Sequence, residues 1–312
     1  MNNSIENAIR PAQPPQDTGK FRKNVIDQFY TKESVAQSCI QRITQLLPET
    51  RDYLWIEPSA GSGAFLHSLP ALYEKLGLDI DPKAPDILCA DFLTWVPPAP
   101  SPSSSPSAEK NIIIFGNPPF GRQSSIAKSF IVKSCKFAAI IAFILPKSFT
   151  KPSMFRAFDL KFHRIYEEEL PPNSFILNGS QYDVPCVFQI WQKRGVDRAV
   201  EPKVEPQGFQ YVGADKRYDF VFRRVGALAG KCYKKGDNGQ GKVFSPQSHY
   251  FIEMDEAFRG SVDAIIANVN AHTFPSNTVG PRSLSKSEAN AVINACVAAA
   301  VAAALAVATT SP

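Results

Sequence analysis

Asn111-Ile112-Ile113-Ile114-Phe115-Gly116-Asn117-Pro118-Pro119-Phe120 is the stretch on which the reading of this chain turns. A short apolar run closed by turn residues is the pattern of a strand buried on both faces. The turn that closes it is unusual. Two prolines in succession confine the backbone to extended conformations and remove two N–H donors, so the carbonyl of Pro118 is held outward. An asparagine side-chain oxygen and a backbone carbonyl can together accept both N–H bonds of one amino group. An aromatic residue such as Phe120 can stack on a flat ring. An Asn-Pro breaker ending a strand also suits a plain turn, so the function of these ten residues depends on what lies around them.

Upstream, Tyr53 to Ile56 reads as another short strand, and Glu57-Pro58-Ser59-Ala60-Gly61-Ser62-Gly63 follows it. Glycines there let the backbone turn tightly and approach a ligand without a Cβ in the way. A helix expected from about Ala64 to Leu69 would present its N-terminus to that ligand. The run is not a phosphate loop, since Gly-Lys-Ser/Thr is missing, and Leu66 stands where a dinucleotide fingerprint has its third glycine. The next strand, near Lys75 to Leu78, ends in Asp79-Ile80-Asp81-Pro82. An acid at that place can bind both hydroxyls of a ribose, and Asp79 and Asp81 are both candidates, Asp81 beginning the turn before Pro82. Asp91-Phe92 follows a third strand, Ile87 to Ala90. Each acid alone is commonly a turn or cap residue; their order after a glycine turn and before Asn117 favours a binding site.

The glycine run resembles motif I of class I S-adenosylmethionine-dependent methyltransferases, in its Glu-Pro-Ser/Ala-Gly-x-Gly form. Asn117-Pro118-Pro119-Phe120 resembles the catalytic loop of amino-group methyltransferases that act on the N6 of adenine. Phe29-Tyr30-Thr31 is similar to a segment that packs over the methionine end of the cofactor in the adenine DNA enzymes, and Thr31 with Ser34 could also cap the helix expected over Val35 to Leu47. The resemblance extends over about residues 27–192. It implies an α/β, Rossmann-like sheet of seven strands in three layers, and S-adenosyl-L-methionine as cofactor. The cofactor set it implies is Phe29, Tyr30, Thr31, Glu57, Pro58, Ala60, Gly61, Gly63, Asp79, Ile80, Asp91, Phe92 and Asn117. The loop Asn117, Pro118, Pro119 and Phe120 would carry catalysis. It also implies N6-adenine methylation, with DNA favoured over RNA as partner. A protein glutamine methyltransferase shares such a loop, and a non-catalytic binding subunit shares such a fold.

The continuous apolar run Phe137 to Leu145 reads as a buried strand, His163 to Leu170 and Val184 to Gln192 read as further strands, and Ser124 to Lys136 has helical spacing. Alternation of strand and helix is the pattern of a parallel, doubly covered sheet. Of 312 residues, 44% are hydrophobic, enough for a full core, and the net charge of +5 permits a nucleic-acid partner. The organisation expected is a disordered arm over 1–24, the methyltransferase domain over 25–194 with a low-complexity insertion at 97–110, a smaller mixed or β module over 195–290, and an alanine-rich terminal helix over 291–312. That module carries basic loops, and Arg223, Arg224, Lys231, Lys234 and Lys235 are its candidates for phosphate contact; an ordinary solvated β face is the alternative. His249 alternates with apolar residues, as a structural or substrate-contacting histidine would. Six cysteines are scattered with no Cys-x-x-Cys pair, so no metal site is expected and a reducing, intracellular compartment fits. The N-terminal residues do not read as a secretory signal. The apolar run Ala295 to Ala308 is shorter than a bilayer span, which needs about 20 residues, and a capping box at Ser285 to Glu288 starts a helix there; a tail anchor is the alternative.

Overall fold

Phe115 faces one helical layer and Ile114 the other, and this alternation runs through the whole main sheet. A computed structural model of the chain describes residues 29–97, 110–234, 244–278 and 280–310. The N-terminal arm, nearly all of the 97–110 insertion and Lys235 lie outside the described residues. A two-residue strand β1 (Tyr30–Thr31) and helix α1 (Glu33–Leu46) come first, then β2 (Leu54–Glu57), α2 (Ala64–Ser68), β3 (Glu74–Asp79), β4 (Ile87–Cys89) and β5 (Ile112–Gly116). Helix α3 (Ser125–Ser134), β6 (Ile140–Pro146) and β7 (Phe162–Glu169) follow, then a hairpin of β8 (Phe175–Leu177) and β9 (Ser180–Tyr182), and β10 (Cys186–Lys193).

The seven-stranded sheet has the order β4-β3-β2-β5-β6-β10-β7. Pairs from β4 across to β6 are parallel, and β10 runs antiparallel to both its neighbours. On one face Trp55, Ile113, Phe115, Ala142 and Ile144 pack under Ala36, Ile40 and Ile43 of α1 and Phe65 of α2. On the other, Ile56, Ile114, Ile141 and Phe143 pack under Ala127, Phe130 and Ile131 of α3. Residues one apart in a strand point to opposite faces, so runs such as Ile140–Pro146, buried at every position, serve both layers. The result is a Rossmann-like, three-layer α/β sheet. Every strand expected from the apolar runs forms within about three residues of its expected place.

One local expectation is corrected. The first helix is not capped by Thr31 or Ser34: its N-cap position is Lys32, without a side-chain cap bond. Thr31 instead belongs to β1, which pairs antiparallel with β8 at Thr31↔Phe175. Together β1, β8 and β9 make a small second sheet.

A separate β module follows. Its four strands, β11 (Phe209–Val212), β12 (Phe220–Arg223), β13 (Cys232–Lys234) and β14 (His249–Met254), are all antiparallel in the order β11-β14-β12-β13. Helix α4 (Val262–Ala271) and the start of α5 (Lys286–Thr310) cover one face, with Ile265, Val269, Ala289 and Ile293 packed on Phe220, Phe222 and Ile252. The expected capping box is present: the Ser285 hydroxyl accepts from the Glu288 N–H at 3.3 Å, and the Glu288 carboxylate accepts from the Ser285 N–H at 2.8 Å. Lys151, just beyond the end of β6, bridges the two modules by donating to the Ser283 carbonyl at 2.7 Å and pairing with Glu288 at 3.1 Å. Among the described residues no helix is long and apolar enough to cross a membrane.

Candidate active site

The sheet order reverses between β2 and β5, because β3 lies outside β2 on one side and β6 outside β5 on the other. In open α/β sheets a ligand crevice forms at the carboxyl ends of the strands flanking such a reversal. Here those ends carry the glycine run after β2, Asp79 at the end of β3, and Asn117 directly after β5.

Gly61 and Gly63 have φ of +52° and +85°, the left-handed region in which a Cβ is disfavoured. A Cβ on Gly61 would also lie 3.1 Å from the Tyr30 ring. Asp79 fixes the loop from the side: one carboxylate oxygen accepts the Gly61 N–H at 2.7 Å and the other the Asp81 N–H at 2.8 Å. Glu57 fixes it from below, accepting the Leu66 N–H at 2.8 Å from a position that is 2% exposed. Burial pushes its carboxyl well above the usual carboxylate range; the Leu66 N–H works against that rise, and neighbouring Asp79 adds to it.

A cavity of about 330 Å³ opens over these groups. Tyr30, Gly61, Asp79, Asp91 and Asn117 line it, and so do Phe29, Thr31, Glu57, Pro58, Ala60, Ile80 and Phe92 from the residues expected at a cofactor. Asp91 turns its carboxylate onto the Leu93 N–H at 2.9 Å. Phe92 is 1% exposed, its ring 5.2 Å from that of Phe130. Gly63 is not in the wall; it is the N-cap residue of α2.

In the catalytic-loop candidate, Asn117 and Pro119 line the cavity, whereas Pro118 and Phe120 do not. Asn117 donates its amide N–H to the Phe29 carbonyl at 3.3 Å, and its backbone carbonyl accepts from the Ser59 hydroxyl at 3.1 Å. Its side-chain oxygen is buried and meets no donor. Leaving a buried acceptor unpaired costs about 1–3 kcal/mol, so the site is short of one N–H. Phe120 is 5% exposed, with its ring 6.3 Å from that of Phe29; a stacking role requires that ring to be uncovered.

Ser59, Ser62, Ile126 and Phe130 also line the cavity and were not singled out from the sequence. Ser59 and Ser62 stood inside the glycine motif. Ile126 and Phe130 belong to α3, where nothing but helical spacing marked them.

The basic candidates in the second module are placed differently. Lys231 donates to the Asn270 carbonyl at 2.5 Å, Lys234 bonds Asp263 at 2.8 Å, and Arg223 donates to the Val225 carbonyl at 3.2 Å. Arg224 lies over the Tyr250 ring, 5.3 Å from its centroid, with a buried Nε that has no acceptor. His249 is buried against the Phe244 ring, away from the cavity, with Nδ1 2.9 Å from the Ser248 hydroxyl.

No family model matches the chain, and no curated protein does. Solved structures do. A candidate RNA methyltransferase from Pyrococcus horikoshii aligns at 14% identity and a TM-score of 0.41, over 55% of this chain and 90% of that one. A Thermoplasma acidophilum protein aligns at 17% and 0.38, over 53% of this chain and 89% of its own. The methyltransferase subunit of a type I restriction-modification system from Streptococcus thermophilus aligns at 14% and 0.39, over 83% of this chain and 56% of its own. Likeness at this level speaks to neither activity nor substrate.

Proposed function

We propose that this chain is an S-adenosylmethionine-dependent methyltransferase that modifies the N6 amino group of adenine in DNA. The observation that carries the reading is the buried, donor-free oxygen of Asn117 in the wall of a cavity that also holds Asp79 and Asp91. The cavity suits the cofactor: its volume of about 330 Å³ falls within the ~300–1,000 Å³ of small-molecule sites, and carboxylates and aromatic rings share its wall. In this reading Asp79 takes the ribose hydroxyls and Asp91 the adenine amino group, with Ile80 and Phe92 against the ring. The backbone of Gly61 forms the cradle, with Gly63 behind it turning the chain into α2, and Phe29 to Thr31 close over the methionine end. S-adenosylmethionine, when bound, supplies a methyl group carried on a positively charged sulfur.

The chain's own task is to make a poor nucleophile attack. The lone pair of an aryl amine is spread into its ring. The Asn117 oxygen and the Pro118 carbonyl accept its two N–H bonds and draw density back onto nitrogen, while the rigid Asn-Pro-Pro turn keeps both acceptors in place. Positioning of this kind lowers the barrier without a titrating base. A base inside a duplex reaches the loop only by flipping, and Phe120 supplies the stacking face once its ring leaves Phe29.

The test is transfer from labelled S-adenosylmethionine to unmethylated duplex DNA, single-stranded DNA, structured RNA and protein extract in parallel, with the product identified by mass. N6-methyladenine in DNA is the expected product. Label in RNA alone retains the chemistry and replaces the substrate, and label on glutamine replaces it with a protein. Cofactor binding with no label anywhere sinks the catalytic reading in favour of a binding subunit.

A further inference from the structure

We propose that Arg224, Arg282 and Lys286 form a phosphate-binding surface for the backbone of a nucleic acid, at the seam between the two modules. The inference rests on the proposed function for its choice of polyanion, and on separate observations for its place. Arg224 and Arg282 come from two chain segments that pair antiparallel: the Leu284 N–H donates to the Arg224 carbonyl at 2.8 Å and the Gly226 N–H to the Arg282 carbonyl at 2.9 Å, around the bridge Val225↔Ser283. That register puts both arginines on one side of the ribbon. Each has a buried Nε with no acceptor, so neither guanidinium is fully hydrogen-bonded among the described residues.

Lys286, exposed at the start of α5, extends the cluster. Its ammonium lies 4.3 Å from the Tyr211 ring centroid and 6.0 Å from that of Tyr250, whose ring Arg224 also covers. The two tyrosines hold the cations in place without neutralising them. Among the described residues none of the three pairs with a carboxylate. Lys231 and Lys234, by contrast, are bonded within their own module. Phosphodiester oxygens would balance the charge that no carboxylate among the described residues offsets, and guanidinium and ammonium groups both bind them.

The location fits a substrate grip. Lys151 holds the Ser283 carbonyl, one residue from Arg282, and Lys151 follows the carboxyl end of β6. Strand β6 pairs parallel with β5, with Gly116 beside Phe143, so the seam and Asn117 belong to the same end of the sheet.

The test is fluorescence anisotropy with a labelled 20-base-pair duplex and the matching single strand, over a range of salt. The proteins compared are the full chain, Arg224→Gln/Arg282→Gln, Lys286→Gln, and Lys231→Gln/Lys234→Gln. The double arginine variant should bind the duplex at least tenfold more weakly and flatten the salt slope by about 2, since each lost phosphate contact removes ~0.9. Lys286→Gln, at an exposed position that folding does not need, should flatten it by about 1. The Lys231/Lys234 variant should keep the affinity and slope of the parent. Unchanged binding in both seam variants overturns the proposal, and so does competition by polyglutamate as strong as by unlabelled DNA. Tight binding without methyl transfer would count against the enzymatic reading alone, and transfer with unaltered binding in the seam variants against this surface alone.

Discussion

Glu57 offers a prediction in which sign and size both follow from its surroundings. Replace it with Gln, and separately with Ala. In the folded chain its carboxyl keeps its proton to a pH well above the usual 4.5, chiefly through burial. In the unfolded chain the same group ionises near 4.5. Between those two values the unfolded state therefore binds fewer protons than the folded one, and stability falls as pH rises. The contribution is fully present below about pH 4.5 and is lost progressively up to the folded value, at about 1.4 kcal/mol per pH unit. Gln cannot titrate, and its side-chain oxygen can accept the same Leu66 N–H. The stability of Glu57→Gln minus that of the parent should therefore grow as pH rises above about 4.5, at up to about 1.4 kcal/mol per unit, until the folded carboxyl itself ionises. Ala leaves the Leu66 N–H unpaired and a hole beside Gly116, together about 2–4 kcal/mol. Urea unfolding of all three proteins at pH 5, 6, 7 and 8 measures this. A Gln-minus-parent difference that stays flat from pH 5 to 8 would refute the reasoning, since it would mean that Glu57 is ionised throughout.

Asn117→Ala should abolish methyl transfer while cofactor affinity by calorimetry stays within about twofold of the parent; normal turnover would remove Asn117 from catalysis. Asp79→Ala frees the Gly61 and Asp81 N–H groups and should weaken cofactor binding by roughly 1–3 kcal/mol; an unchanged dissociation constant would shift the ribose role to Asp81. Ser285→Ala removes half of the capping box at the start of α5 and should cost about 0.5–2 kcal/mol in denaturant unfolding, with no loss expected if that helix is held by packing alone.

The middle of the main sheet was legible because its central strands are buried on both faces. Runs such as Ile112 to Phe115 and Ile140 to Leu145 need no partner to be recognised. The glycine turn and Asn117 were legible for another reason: their backbone demands are local. What escaped the sequence depends on distant partners. Thr31 looked like a cap, yet its strand partner Phe175 lies far along the chain. Phe120 looked like an open platform until Phe29 came to lie beside it. Lys231 and Lys234 looked like free cations because Asn270 and Asp263, which hold them, belong to a helix 29 or more residues away. Arg282 drew no notice in the sequence, because its pairing with the Arg224 segment is equally remote.

Strand β10 sits between β6 and β7 although it follows both in the chain. As the chain is made, those two strands emerge with a gap one strand wide that only residues 186–193 can fill. From the end of β7 at Glu169 to the end of β10 at Lys193, synthesis at about 5–20 residues per second takes roughly 1–5 s. For that interval the wholly apolar Ile140–Pro146 presents an open edge, the kind of strand that pairs with other chains. The ribosome therefore releases a sticky half-sheet before it releases the strand that closes it. Shortened chains ending before residue 186 should aggregate, and slow codons between 170 and 186 should lower the soluble yield of the whole protein.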